Sequence, residues 1–526
     1  MAYERDGKPK LALESYENGS RLDKDDVAAY MHTAVLESRS NNFPQADEAF
    51  SHVESLLTAE MDQEGLANLN YERGYAANVS GHLDQANQFL QHSLQEAKEI
   101  PNVQLEIRAL IQLSSVAARQ NPDRAVDLAQ QAISLAQDNQ LDSWTSMGQS
   151  RLAAARIMQG SEHFQQAEDA AQKALHIAQQ SQHPRAEALA DMVLASLRDQ
   201  QGRADEVIAP TEAALNYYRQ NGYFEAAARA SLLLMRAELK NGHYPQAALS
   251  ANSFLTLAMQ SGIRNLEVQA EETVGYTSMT MEHYPEALIH YQEALALADS
   301  TEDKAYQALN SANVLWQLGR YEEADKMLTQ AKQTLPESDL IDVQITSLLS
   351  QMKYRQVLAL TEEAIANRSK LPADRLQMYE MYHSLAEAHL GEKSRALSDL
   401  NEVLKERVGT NDRQEEADMQ LMESEIYLFA DNSREAGKLA KTAHIYYASV
   451  GSQDSELRSA CLAAIAAKLQ DDEASYQSNS NLALDTLASL KKSWDSDTFD
   501  HYLSRPDLHM LMRDLPYDKR TNKERL

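Results

Sequence analysis

Several groups of residues in this 526-residue sequence are of types that do chemistry, and their spacing argues against each in turn. Gly391-Glu392-Lys393-Ser394 has the order that ends a phosphate-binding loop, in which backbone N–H groups and a lysine cradle phosphate oxygens. The earlier glycine of such a loop is missing, and the tetrapeptide sits in a turn between two helical patterns. The histidines are scattered singly. His82, His163, His243 and His283 stand at turns beside aromatic or apolar residues, and no His-Glu-x-x-His or cysteine pair accompanies them. Cys461 is the one cysteine; Ala460, Leu462, Ala463 and Ala464 around it make it a buried helix residue, not a nucleophile. Carboxylate pairs such as Glu271/Glu272 and Glu322/Glu323 read as solvated helix charges. Neither Gly-x-Ser-x-Gly, Gly-x-Gly-x-x-Gly nor the kinase His-Arg-Asp and Asp-Phe-Gly set is present. The expectation is therefore a protein without catalytic residues, cofactor or metal.

The elements that carry these residues repeat. Met281-Glu282-His283-Tyr284-Pro285-Glu286-Ala287 reads as a turn followed by a helix, with Pro285 at its first position, where a missing N–H costs nothing. Ala287, Tyr291 and Ala294 then share one helix face. The same phrase recurs, with its small residue at Ala12, Ala46, Ala86, Ala125, Ala167, Val207, Ala247, Ala287, Ala324, Val357, Ala396 and Ala436, spaced 33 to 42 residues apart. A spacing this regular means an array of one helix-pair unit.

The stretch from Ala308 to Pro336 resembles a tetratricopeptide repeat. Ala312, Gly319, Tyr321, Ala324, Leu328, Ala331 and Pro336 stand where that family has its first-helix small residue, turn glycine, turn aromatic, second-helix alanine, large apolar residue, second alanine and closing proline. The resemblance extends over nearly the whole chain and departs from the family in period, near 40 residues here; the surplus belongs in longer helices, because breakers between the anchors are few. It implies an all-α, right-handed α-solenoid of about 12–13 helix-turn-helix repeats with a C-terminal helical cap, and a general role in binding other proteins.

In that family the first helix of each unit lines the groove. The position eleven residues before each anchor then faces inward, which includes Tyr75, Arg156, Arg236, Tyr276 and Asn313. Tyr71, Tyr75 and Tyr276 offer large contact area at low entropy cost. Arg156 and Arg236, two repeats apart, could each grip a carboxylate in bidentate fashion. The family's Lys/Asn clamp for chaperone tails is not evident here, since the position fifteen residues before the anchor holds Met31, Tyr71, Leu110, Leu152, Met192 and Leu232 where the clamp has Lys.

Charge bounds the partner. Lys+Arg total 49 and Asp+Glu 79, a net −30. Such a surface repels nucleic acid and anionic membranes, which need clustered cations, and would steer a basic protein or peptide. No run approaches a membrane span, the polar Met1–Lys10 stretch is no secretory signal, and a lone cysteine suits a reducing compartment; the expectation is cytoplasmic.

Along the chain, residues 1–335 read as an N-terminal array whose first repeat lacks most of its first helix. Residues 336–493 read as degenerate repeats, beginning where the units shorten near Met352-Lys353-Tyr354. Residues 494–526 read as a helical cap and basic tail. The ending Trp494 … Tyr502-Leu503-Ser504-Arg505-Pro506-Asp507 is similar to tails of repeat arrays attached to bacterial Ser/Thr protein kinases. Two functions follow: a non-enzymatic scaffold that binds a partner segment in its groove, or the regulatory, sensory C-terminal region of a larger signalling protein whose effector domain lies upstream.

Overall fold

All twelve anchor residues, from Ala12 to Ala436, are buried to 2% exposure or less. In this computed structural model, which describes residues 1–526 except 368–370, 407–411, 514 and 517–526, they mark successive second helices of an all-α helical repeat. The expected basic tail from Lys519 lies outside the described residues. Twenty-eight α-helices and no strand occur among those described. The long period sits in the helices, as its scarcity of breakers requires: Phe43–Glu60 has 18 residues and Gln63–Val79 has 17.

Turn chemistry sets the repeat. Helix pairs are joined through one residue in the left-handed region, a glycine at Gly81, Gly242, Gly319 and Gly391, among others. Asn41, Glu282, Met352 and Asp431 adopt the same conformation with a side chain, so the turn at Met352-Lys353-Tyr354 is regular in form although it lacks glycine. The aromatic before proline is itself the first helical residue in Phe43–Glu60, Tyr244–Ser261 and Tyr284–Leu297, which puts Pro285 second, one position later than expected. Asp26, Asp62, Asn102, Asn121, Asn432 and Asp472 cap helix N-termini by accepting backbone N–H groups.

Contacts divide the chain into two units, Met1–Ala270 and Glu271–Leu526. The boundary expected near residue 336 lies inside the second unit, between helices Tyr321–Ala331 and Glu337–Ser350.

In the first unit the first helices of successive repeats, Val27–Arg39, Gln63–Val79, Val103–Gln120, Asp142–Gln159, Pro184–Gln200 and Phe224–Lys240, pack side by side. A single turn, Ala2–Arg5, stands where the first repeat's first helix would be. The unit's two ends meet. Asn265 donates to Ser80 O at 3.1 Å and accepts from Asn41 at 3.1 Å. A Cβ on Gly262, at φ +67°, would stand 2.8 Å from Pro9, so only glycine fits there.

In the second unit the repeats run to helix Glu473–Ser493, and the short helices Ser496–Leu503 and Pro506–Met512 form the cap. Phe499, Tyr502, Leu508 and Leu511 pack on Leu457, Cys461, Leu487 and Leu490 of the final repeat. The cap also reaches the unit's other end. Trp494 lies 6.3 Å from the ring of Tyr284 and 5.0 Å edge-on from Tyr502. Arg505, 1% exposed, donates to Gln317 O at 2.8 Å.

Candidate functional site

The lumen of the first unit gathers a group of arginines and tyrosines from five different helices. Tyr71 and Tyr75 project from helix Gln63–Val79, one turn apart. Tyr75 Oη donates to Glu225 at 2.7 Å, across the lumen from helix Phe224–Lys240. The Arg108 guanidinium stacks 4.1 Å above the Tyr71 ring and lies 3.6 Å from Glu72. Arg229 is 3.3 Å from Glu225. These contacts engage two arginines with two carboxylates.

Arg39, Arg119 and Arg151 remain. None forms an ion pair among the described residues, and the Nε atoms of Arg39 and Arg151 are buried without a hydrogen-bond partner. Burial holds Arg151 below the usual guanidinium range, in a setting that includes Tyr218, Tyr71, Glu225 and Tyr75. Burial, then repulsion by Arg229, lowers Arg119. Burial also raises the Tyr75 phenol, and the Glu225 carboxylate raises it further. In a chain of net charge −30, this interior carries more guanidiniums than carboxylates: Arg39 feels Glu72, and Arg151 and the exposed Arg119 feel Glu225, only at longer range. A buried cation without a counterion is costly, and an incoming carboxylate relieves that cost through charge-assisted hydrogen bonds.

In the second unit's interior both guanidiniums are ion-paired. Arg505 pairs with Asp507 at 2.8 Å, and Arg458 also pairs with Asp507. Asp454 accepts from Tyr284 at 3.2 Å and from Tyr502. Glu282, at φ +61°, accepts from Ser455 N at 3.0 Å and from its hydroxyl. Burial, then repulsion by Asp454, raises the Glu282 carboxyl far above the usual range. The cap thus supplies a carboxylate, Asp507, to both guanidiniums of this unit's interior.

The residues expected to bind distribute unevenly. Tyr71 and Tyr75 sit together in the first unit's lumen. Arg156 donates to Gln159 at 2.8 Å. Arg236 lies 2.9 Å from the buried Asp199, which also pairs with Lys240, so this arginine already neutralises a carboxylate. In the second unit, Tyr276 is 54% exposed and Asn313 Oδ1 is buried without a hydrogen-bond partner. Arg39, Arg119, Arg151 and Glu225 are not picked out by the repeat spacing. They stand at different offsets from their anchors, so no single sequence row contains them; closure of the unit brings them together.

The turn lysine, turn histidine and lone cysteine take structural places. Lys393 pairs with Asp431 in the next repeat's turn. His82 stands edge-on to Phe43 at 4.7 Å. Cys461 is fully buried. No described helix is long and apolar enough to cross a membrane.

No protein-family model matches this sequence, and no curated protein matches it. Solved structures similar to this chain include BtubC (BKLC) from P. vanneervenii, 21% identical over 42% of this chain and 90% of that one, with a TM-score of 0.36. A Rap protein complexed with competence and sporulation factor is 14% identical, covering 65% of this chain and 95% of that one, at 0.38. The apo form of the quorum sensor NprR from B. thuringiensis is 12% identical, covering 73% and 98%, at 0.40. At such identities and scores the likeness carries nothing about what this chain binds.

Proposed function

We propose that this chain is a non-enzymatic interaction scaffold whose first unit takes an anionic protein segment into its lumen. The observation that carries the reading is the trio Arg39, Arg119 and Arg151, none of them ion-paired, beside Tyr71 and Tyr75. Arginine presents a planar fork that fits carboxylates, and tyrosine supplies rigid contact area for the rest of a bound chain. Each charged hydrogen bond formed there contributes about 1.5–3 kcal/mol.

The net charge of −30 favours basic partners in long-range encounter. The lumen selects differently, because short-range pairing with its unmatched guanidiniums decides what stays bound. The segment is therefore acidic, or ends in a free carboxylate. Tyr71 and Tyr75 belong to this surface; Arg236, already paired with Asp199, contributes less than Arg151.

Selection of a displayed peptide library against the full chain tests this. Enriched sequences rich in Asp, Glu or free C-termini are expected, with binding weakened about tenfold or more by Arg119→Met and Arg151→Met and reduced steeply by added salt. Enrichment without acidic bias, or affinities indifferent to both substitutions, would overturn the proposal.

A further inference from the structure

Away from that lumen, in the second unit, a cavity of about 460 Å³ opens between helices Tyr354–Ala366, Ala373–His389 and Lys393–Glu406. His383 and Asp399 line it, and Glu387 stands one helical turn beyond His383 on the same face. We propose that His383, Glu387 and Asp399 form a binding site for a borderline divalent cation of the zinc class. One nitrogen and two carboxylates suit such an ion, with the cavity leaving a further position open.

Three observations carry the assignment. First, one ligand atom from each residue lies within 4.8 Å of the others. His383 Nε2 and Glu387 Oε1 are 3.4 Å apart, and two ligands about 2.1 Å from a tetrahedral zinc stand about 3.4 Å from each other.

Second, the histidine is held in the tautomer that a metal requires. The Thr361 hydroxyl has Val357 O at 2.9 Å and Leu358 O at 3.1 Å, so its proton is spent on the backbone. Its oxygen lies 3.0 Å from His383 Nδ1 and accepts from that nitrogen. Nε2 then presents a lone pair to the Glu387 carboxylate, an acceptor facing an acceptor. A shared proton or a cation between them resolves that contact, and the hydroxyl behind the ring takes the outer-support place usually held by a carboxylate, backbone carbonyl or water.

Third, Glu387 is fully buried, yet neither of its oxygens accepts a hydrogen bond. Arg395 Nε is 2.7 Å from Oε1, an ion pair out of line for hydrogen bonding, and this side chain is 57% exposed. One exposed guanidinium faces two adjacent carboxylates, with Glu362, Glu380 and Glu402 also lining the cavity.

The test is a titration of chelator-stripped full-length protein with Zn²⁺ against a fluorescent zinc chelator, supported by Co²⁺ absorption spectra. One tight site per chain is expected. His383→Ala and Asp399→Asn should each weaken it about tenfold or more, and Thr361→Val several-fold. Arg395→Gln should tighten it, because the guanidinium competes with the ion for Glu387; a site made only of surface carboxylates would not respond. Asp399→Asn keeps the side chain's shape, so it and Arg395→Gln decide the matter even where His383→Ala misfolds. Failure of the wild type to compete with the chelator, or zinc affinity unchanged in Asp399→Asn and Arg395→Gln, would overturn the site.

Discussion

The phenol of Tyr75 donates a 2.7 Å hydrogen bond to Glu225, 150 residues further along the chain. This bond ties the second full repeat of the first unit to the sixth and fixes the floor on which Arg119 and Arg151 stand. Tyr75→Phe is expected to lower the stability of that unit by about 1 kcal/mol, since a half-buried carboxylate loses a donor. The freed Glu225 then competes for the lumen's guanidiniums, so affinity for an acidic peptide should also drop several-fold. Denaturant unfolding and fluorescence anisotropy measure the two effects separately.

Two turn glycines of the second unit give a controlled comparison. Gly319 and Gly391 both lie in the left-handed region, at φ +73° and +85°. A Cβ on Gly391 meets nothing within 4 Å, whereas on Gly319 it would stand 2.3 Å from His501 O of the cap. Gly391→Ala should therefore cost about 1–2 kcal/mol, from backbone strain alone. Gly319→Ala should cost more, about 3 kcal/mol or above, and should expose the cap to protease. Equal costs for the two would mean that the cap does not seat on this turn.

Acid should stabilise the second unit before it denatures it. Burial pushes the Asp418 carboxyl up to about 6, even though Tyr447 donates to it at 2.7 Å. An unfolded Asp releases its proton near pH 4. Between those values the folded chain holds a proton that the unfolded chain has lost, so stability falls as pH rises from about 4 to 6. Below that window the contribution is fully present; above it the loss is complete, of the order of 2 kcal/mol. Glu282 acts in the same direction at higher pH. Asp418→Asn should flatten the lower part of the curve, as read from unfolding midpoints at a series of pH values.

Cys461 should be inert in the folded chain. Burial pushes its thiol up to about 12 and removes it from solvent, so little thiolate forms and none is reachable. Reaction with a thiol reagent at neutral pH is expected to proceed only as fast as the second unit opens. Rapid labelling of native protein would contradict this packing.

The repeat was legible in the sequence because packing imposes a local rule on it. Where a second helix crosses its neighbours, only a small residue fits, and Ala287 or Val357 announces that crossing. The turns were less legible. Met352 and Glu282 adopt the left-handed conformation without being glycine, and tertiary contacts pay for that strain. Of the proposed binding surface, Tyr71 and Tyr75 could be read from helical register, while the unpaired arginines could not. Arg39 ends one helix, Arg119 nearly ends another and Arg151 lies mid-helix, and nothing local relates them. The His383-x-x-x-Glu387 spacing was visible but uninformative in a sequence dense in Glu; the Thr361 hydroxyl behind the ring distinguishes it.

An open stack of helix pairs loses order from its extremities inward, one module at a time. That route is obstructed in both units described above. Pro9 lies against Gly262, and His501 against Gly319, so the modules that would peel away first are clasped by those furthest from them in sequence. Each unit must therefore melt as a block, with sharp cooperative transitions and uniformly slow amide exchange where a linear array would show a gradient.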